Sequence, residues 1–164
     1  MSPDARDDVS SERVQNLLSV PLEAVDSPPG RSFSATSLTP RFGAAATGMG
    51  VYEIAPGNAS WPYHFEVVGE EWLLVIEGEL TLRTPDGEQV LRAGDVACFP
   101  AGAAGAHAIR NHSAAPVRYV MLSTKAPYGD AVVYPDSGTF HVTGRGFNHR
   151  GRLGEPVDYW EGEP

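Results

Sequence analysis

A chain of 164 residues is long enough to bury the core of one domain and gives no reason for a second. Its 41% hydrophobic content with 18 Gly and 14 Pro suits many short strands joined by turns better than long helices. The formal charge of −9 argues for solubility and against a nucleic-acid partner, the single cysteine excludes an internal disulfide, and no stretch approaches the roughly 18 apolar residues of a membrane span.

In chain order, residues 1–12 read as a polar, charged tail without the apolar core of a signal peptide, which makes the cytoplasm the default location. Apolar residues at Val14, Leu17 and Leu18 permit either one helical turn or a bent extended arm. Pro28-Pro29-Gly30 is a turn, and 31–38 alternates as an added edge strand. Strands follow at 48–55, 61–66 and 71–77, then at 80–83 beyond Gly78. Pro85-Asp86-Gly87 reverses the chain into 89–92, and 95–99, 106–111 and 117–124 complete the series. Further strands at 131–134 and 139–142 lie in a segment expected to wrap the barrel or cover its mouth. Such regular spacing predicts an all-β antiparallel sandwich or barrel, divided into an arm over 1–30, a barrel over 31–145 and an extension over 146–164.

The chemistry concentrates in two blocks. Gly57 to Gly78 reads G-x6-H-x-E-x4-E-x6-G and carries His64, Glu66 and Glu71, while Gly94 to Asn111 reads G-x5-P-x-G-x4-H-x3-N and carries His107. His64 and Glu66 are two apart on a strand and project from one face. Glu71 opens the apolar run Glu71-Trp72-Leu73-Leu74-Val75-Ile76, where a carboxylate is too costly to bury unless it is paired, hydrogen-bonded or bound to a cation. Imidazoles and carboxylates together suit a divalent transition ion (Zn, Mn, Fe, Ni or Co) without choosing among them. Glu70 is the rival of Glu71, but only Glu71 keeps the six-residue interval to Gly78.

These two blocks resemble the two motifs of the cupin superfamily over residues 50–124, in a group of small single-domain bacterial cupins without an assigned activity. The resemblance implies a double-stranded β-helix, or jelly-roll barrel, with N- and C-terminal extensions. It implies His64 as the first histidine of motif one, Glu71 as its glutamate and His107 as the histidine of motif two. Glu66 stands where the second histidine normally stands. That exchange makes the sum of a divalent ion and two carboxylates zero, giving a weaker Lewis acid and a poorer anion receptor. Motif two carries four residues between Gly102 and His107 instead of two, a length the small-residue loop Gly102-Ala103-Ala104-Gly105-Ala106 can absorb. The family also implies a homodimer and a small-molecule ligand, and includes dioxygenases, decarboxylases, lyases and isomerases, among which fold does not select.

The remaining expectations follow from residue type and parity. A metal-binding barrel acting on a small oxygen-rich molecule leads, with Glu66 as candidate catalytic base. A non-catalytic ligand-binding or sensor module and a metal-free isomerase or epimerase, pairing a histidine with Tyr63 or Tyr119, are the alternatives. Tyr52, Leu73, Val75 and Met121 are expected to line the pocket, Asn111 to brace a turn, Arg110 and His112 to face outward, and Cys98 to be a small buried hydrophobe. His141 and His149 are possible rim residues.

Overall fold

The computed structural model of the chain describes residues 14–162, so the tail expected over 1–12 lies outside the described residues. In chain order the strands are β1 (Glu23–Ala24), β2 (Phe33–Ser37), β3 (Thr47–Ile54), β4 (Phe65–Glu66), β5 (Glu71–Glu77), β6 (Glu79–Thr84) and β7 (Gly87–Arg92). They continue as β8 (Val96–Phe99), β9 (Ala108–Arg110), β10 (Val117–Thr124), β11 (Gly129–Tyr134), β12 (Thr139–Gly144) and β13 (Phe147–Arg152). The helical pieces among the described residues are α1 (Thr39–Phe42) and a 3-10 turn at Ala103–Gly105. All pairings are antiparallel, in three sheets ordered β1-β2-β3-β10-β5-β8, β7-β6-β9 and β13-β12-β11-β4. This is an all-β jelly-roll barrel.

The main core lies between the first two of these sheets. Leu73 and Val75 of β5, Tyr119 of β10, Leu80 and Leu82 of β6 and Ile109 of β9 are all buried within it, each strand contributing alternate residues. A second cluster sits on the other face of the first sheet, where Val51 and Val120 are covered by Val20 and Leu38. Arg118 pins that covering segment by donating to the carbonyls of Leu17 (2.8 Å) and Val20 (2.7 Å). Gly78, at φ +80°, turns β5 into β6 where an added Cβ would stand 2.8 Å from the Pro116 carbonyl oxygen, so glycine alone fits.

The strands expected at 71–77 and 117–124 coincide with β5 and β10. The one expected at 61–66 shrinks to β4, because Pro62 supplies no N–H for a ladder and His64 forms only an isolated bridge with His107. The strand expected as an edge over 31–38 is β2, which lies inside the first sheet between β1 and β3 of its own chain. Cys98 departs from expectation: it is exposed. It pairs with Trp72 on the outer face of the sheet, while its neighbours Ala97 and Phe99 point inward. β1, α1 and β13 have no counterpart in the sequence reading. β1 has two residues, α1 is a single turn set by Pro40, and Phe-Asn-His-Arg-Gly-Arg of β13 lacks β-branched residues.

The C-terminal hairpin reaches the barrel mouth. β11 pairs with β4 through Val132 opposite Glu66 and Val133 opposite Phe65. Asp130 accepts hydrogen bonds from the N–H groups of Val68 (3.0 Å) and Gly69 (2.7 Å), fixing the irregular link between β4 and β5. Arg83 on β6 forms a forked pair with Asp136 at 2.6 and 2.9 Å and lies 3.9 Å over the Tyr63 ring.

Candidate metal centre

β5 places Glu71 at its first residue, with Phe99 directly across on β8. His64 and His107 face each other through two backbone hydrogen bonds, His64 N–H to His107 O at 3.1 Å and His107 N–H to His64 O at 2.8 Å. This bridge brings the two sequence blocks together. The three side chains form one group whose ligand atoms all lie within 4.8 Å of one another.

Each imidazole is oriented from behind. The carbonyl of Pro62 lies 2.7 Å from His64 Nδ1, and that of Gly105 lies 3.0 Å from His107 Nδ1. A carbonyl accepts only from an N–H, so both rings carry their hydrogen on Nδ1 and present an Nε2 lone pair. Phe99 stacks on His107 with ring centroids 3.7 Å apart, and Tyr134 stacks on His64 at 5.9 Å. Burial, more than the neighbouring His64, lowers the His107 pKa to about 4, and burial also lowers that of His64. Both rings are therefore neutral at neutral pH.

Glu71 Oε2 lies 3.8 Å from His64 Nε2 and 3.5 Å from His107 Nε2, and this buried oxygen has no hydrogen-bond partner. Burial raises the Glu71 carboxyl to about 7, with Lys125 pulling it down and Asp130 adding to the rise. Two imidazole lone pairs thus converge on this carboxyl oxygen with no ring hydrogen between them. Ligands about 2.0–2.1 Å from one ion are separated by roughly 3.0–3.4 Å, so Glu71 Oε2, at 3.8 and 3.5 Å, stands close to that spacing from each imidazole, while the group as a whole, within 4.8 Å, draws together to close around a cation. The donor set fits a divalent transition ion.

Glu66 lines the same cavity but stands outside this three-residue group. Its carboxyl is raised to about 7, chiefly by burial and then by Glu71 and Asp130, with Lys125 opposing. The cavity measures about 240 Å³ and is walled by Tyr52, Trp61, Met121, Tyr119 and Val132 besides the triad. Tyr52 and Met121 are lining residues as expected, whereas Leu73 and Val75 belong to the closed core. Tyr119 is fully buried, stacks with Tyr52 at 5.2 Å and has an unpartnered hydroxyl. Ser60 beside it offsets part of the burial that raises the phenol's pKa, but the pair falls short of hydrogen-bond geometry.

Other expected residues fall elsewhere. Glu70, Arg110 and His112 are exposed. Asn111 is fully buried and braces the turn that follows β9, its amide donating to the carbonyls of Ile54 (2.9 Å) and Ala115 (2.8 Å). His141 bonds Asn148 and His149 neighbours Phe147, and neither lines the cavity. The long loop before His107 is a defined 3-10 turn. A side chain at Gly105 would collide with the Pro100 carbonyl, and the Gly105 carbonyl is the one that orients His107.

Residues 50–123 match the family described as Cupin domain. No curated protein sequence matches the chain. Among solved structures, the chain is similar to a protein provisionally named a sugar phosphate isomerase from Acidithiobacillus ferrooxidans, at 25% identity and TM-score 0.72 over 79% of this chain and 82% of that one. It is similar in fold to a sugar phosphate isomerase from Silicibacter pomeroyi (24%, TM-score 0.74, 88% and 96%). The polyketide cyclase RemF from Streptomyces resistomycificus is a further fold relative (23%, TM-score 0.57, 68% and 78%). The stretch 50–123, which spans both ligand-bearing blocks, thus matches the Cupin domain, and the antiparallel jelly roll around it is shared with the solved structures of similar fold.

Proposed function

We propose that this chain holds one divalent transition ion on His64, Glu71 and His107 and acts on a small oxygen-rich molecule in the adjoining cavity, a carboxylate, polyol or phenolic compound. The observation that carries the reading is the convergence of two imidazole lone pairs on the orphaned Oε2 of Glu71. When bound, the ion supplies a Lewis acid for a substrate oxygen. Trp61, Met121 and Val132 shield that oxygen from water, and Tyr119 O–H donates to a second substrate oxygen. Glu66, beside the triad and outside it, is the base at the cavity wall.

Elemental analysis of protein purified without a chelating tag tests this: about one ion per chain is expected. Glu66→His, which restores the family's usual third imidazole, is expected to tighten retention of that ion during dialysis. A wild-type protein devoid of metal that acquires it only as Glu66→His sinks the reading.

One alternative has its own support. The buried, unpartnered Tyr119 hydroxyl shares the cavity with both histidines, as a metal-free isomerase or epimerase would need, and the Acidithiobacillus relative carries an isomerase name. Tyr63 does not compete for that role, since it lies under Arg83 and outside the cavity. Turnover by protein stripped with EDTA favours this alternative; binding without turnover across a substrate panel favours a ligand-binding module.

We place the protein in the cytoplasm as a homodimer. No helix among the described residues is long and apolar enough to cross a membrane, and an exposed lone thiol suits a reducing compartment. Leu122, Trp72 and Cys98 form one exposed row across β10, β5 and β8, with Val96 beside it, and this apolar strip favours self-association. Light scattering on a sizing column is expected to give twice the 17.5 kDa chain mass; a monomer at micromolar concentration rejects the dimer.

A further inference from the structure

Beyond the triad, the inner wall of the barrel is not filled as a core. Along β10 the inward row is Tyr119, Met121 and Ser123, and it continues to Lys125, whose N–H donates to the Ala46 carbonyl at 2.9 Å. The opposing positions on β3 are glycines: Met121 faces Gly50 and Ser123 faces Gly48, while Gly50 also faces Ser37 on β2. Interior strand positions of small barrels normally carry packed side chains. Here the row of Gly, Gly, Ser and Ser leaves a trough of about 280 Å³, which shares Tyr52, Trp61, Glu71 and Met121 with the metal-site cavity.

Both glycines leave room for the side chains that lie over them. A Cβ at Gly48 would stand 2.5 Å from Lys125 Cε and 2.6 Å from Ser123 Oγ, and one at Gly50 would stand 2.8 Å from the Tyr52 hydroxyl. Lys125 and Glu71 are the charged residues lining the trough. Among the described residues no carboxylate lies within 4.0 Å of the Lys125 ammonium. Its field nevertheless reaches Glu66 and Glu71, where it opposes the effect of burial. Ser123 is the register partner of Glu71, and Lys125 lies two residues, or about 7 Å, further along the strand direction. A chain of a few carbons spans that interval.

We propose that this trough seats the anionic end, a phosphate ester or carboxylate, of a small hydroxylated substrate whose other end lies at the His64–Glu71–His107 centre, with Lys125 as counter-ion and Ser37 and Ser123 as hydroxyl donors. The assignment of the far end rests on the function proposed above; the anion site rests on the trough itself. It also answers the charge problem raised by Glu66. A site made less cationic by exchanging histidine for glutamate regains its positive charge from a lysine on the opposite wall.

The test titrates ribose 5-phosphate, ribonate and ribose into the full chain by calorimetry, before and after EDTA treatment, with metal content and thermal midpoint measured on every sample. One of the two anions is expected to bind at least tenfold more tightly than ribose. Lys125→Met is expected to erase that preference at unchanged metal content and midpoint, and Lys125→Arg to keep it. Ribose 5-phosphate as the tighter anion assigns a phosphate ester, and ribonate a carboxylate. Absence of an anion preference in wild type, a preference that survives Lys125→Met, or one removed by EDTA alone overturns the inference. A wild type free of metal whose anion preference still depends on Lys125 overturns the metal reading and leaves the anion site standing.

Discussion

Replacing His107 with alanine is expected to take the ion content of the purified protein from the proposed one per chain to below about a tenth of that. The imidazole is 2% exposed, neutral because burial lowers its pKa to about 4, and locked by the Gly105 carbonyl with Nε2 aimed at Glu71. Its removal leaves His64 and Glu71, and two protein ligands do not hold a labile divalent ion through dialysis. Loss even of groups that only orient a ligand costs about 10–100-fold in metal affinity, so losing a ligand itself costs at least about 100-fold. The variant also vacates the space stacked against Phe99, a cavity expected to cost on the order of 2 kcal/mol, so unfolding is followed by circular dichroism beside the elemental analysis. His112→Ala, five residues away and exposed, is the matched control. A folded His107→Ala protein that retains its ion shows that the ligands lie elsewhere.

That His64, Glu71 and His107 come together was legible because strand parity and the two glycine-bounded blocks constrain them locally. Glu71 opens the strand β5, whose apolar pattern is clear, His64 and His107 flank the short strands β4 and β9, and the mutual bridge of the two histidines completes the group. The rest depended on long-range pairing. Tyr134 and Val132 reach the cavity only because β11 pairs with β4, a contact across more than sixty positions that no local period encodes. Leu73 and Val75 share parity with Glu71, yet they lie deeper along β5 and are sealed by Leu80, Leu82 and Ile109. Parity thus identifies a face but not a depth. Cys98 shows the reverse case: its residue type favours burial, but register with Trp72 puts it outside. The trough under Lys125 was invisible in sequence because Gly48 and Gly50 read as turn-formers or weak strand residues until their partners on β10 are known.

Glu71→Gln is expected to abolish metal binding and, in metal-free protein, to raise stability. Burial lifts this carboxyl from 4.5 to about 7, so folding removes Glu71 from water at a cost that depends on pH. The folded state binds the proton more tightly than the unfolded one. The penalty is therefore absent below about pH 4.5, grows as pH rises toward 7 and is complete above it. A rise of that size corresponds to roughly 3 kcal/mol, and about 2 kcal/mol remains as the expected gain once the buried amide's own desolvation is allowed for. Chemical denaturation of EDTA-treated wild type and Glu71→Gln at pH 5 and pH 8 reads it directly. The curves should nearly coincide at pH 5 and separate at pH 8, with the variant more stable; added divalent ion should then stabilise the wild type alone. A variant that is less stable than metal-free wild type at pH 8 shows that Glu71 is held by the protein's own contacts. The expected result instead makes Glu71 a residue kept at a cost to folding, because its carboxylate has a partner only when a cation occupies the centre of the triad.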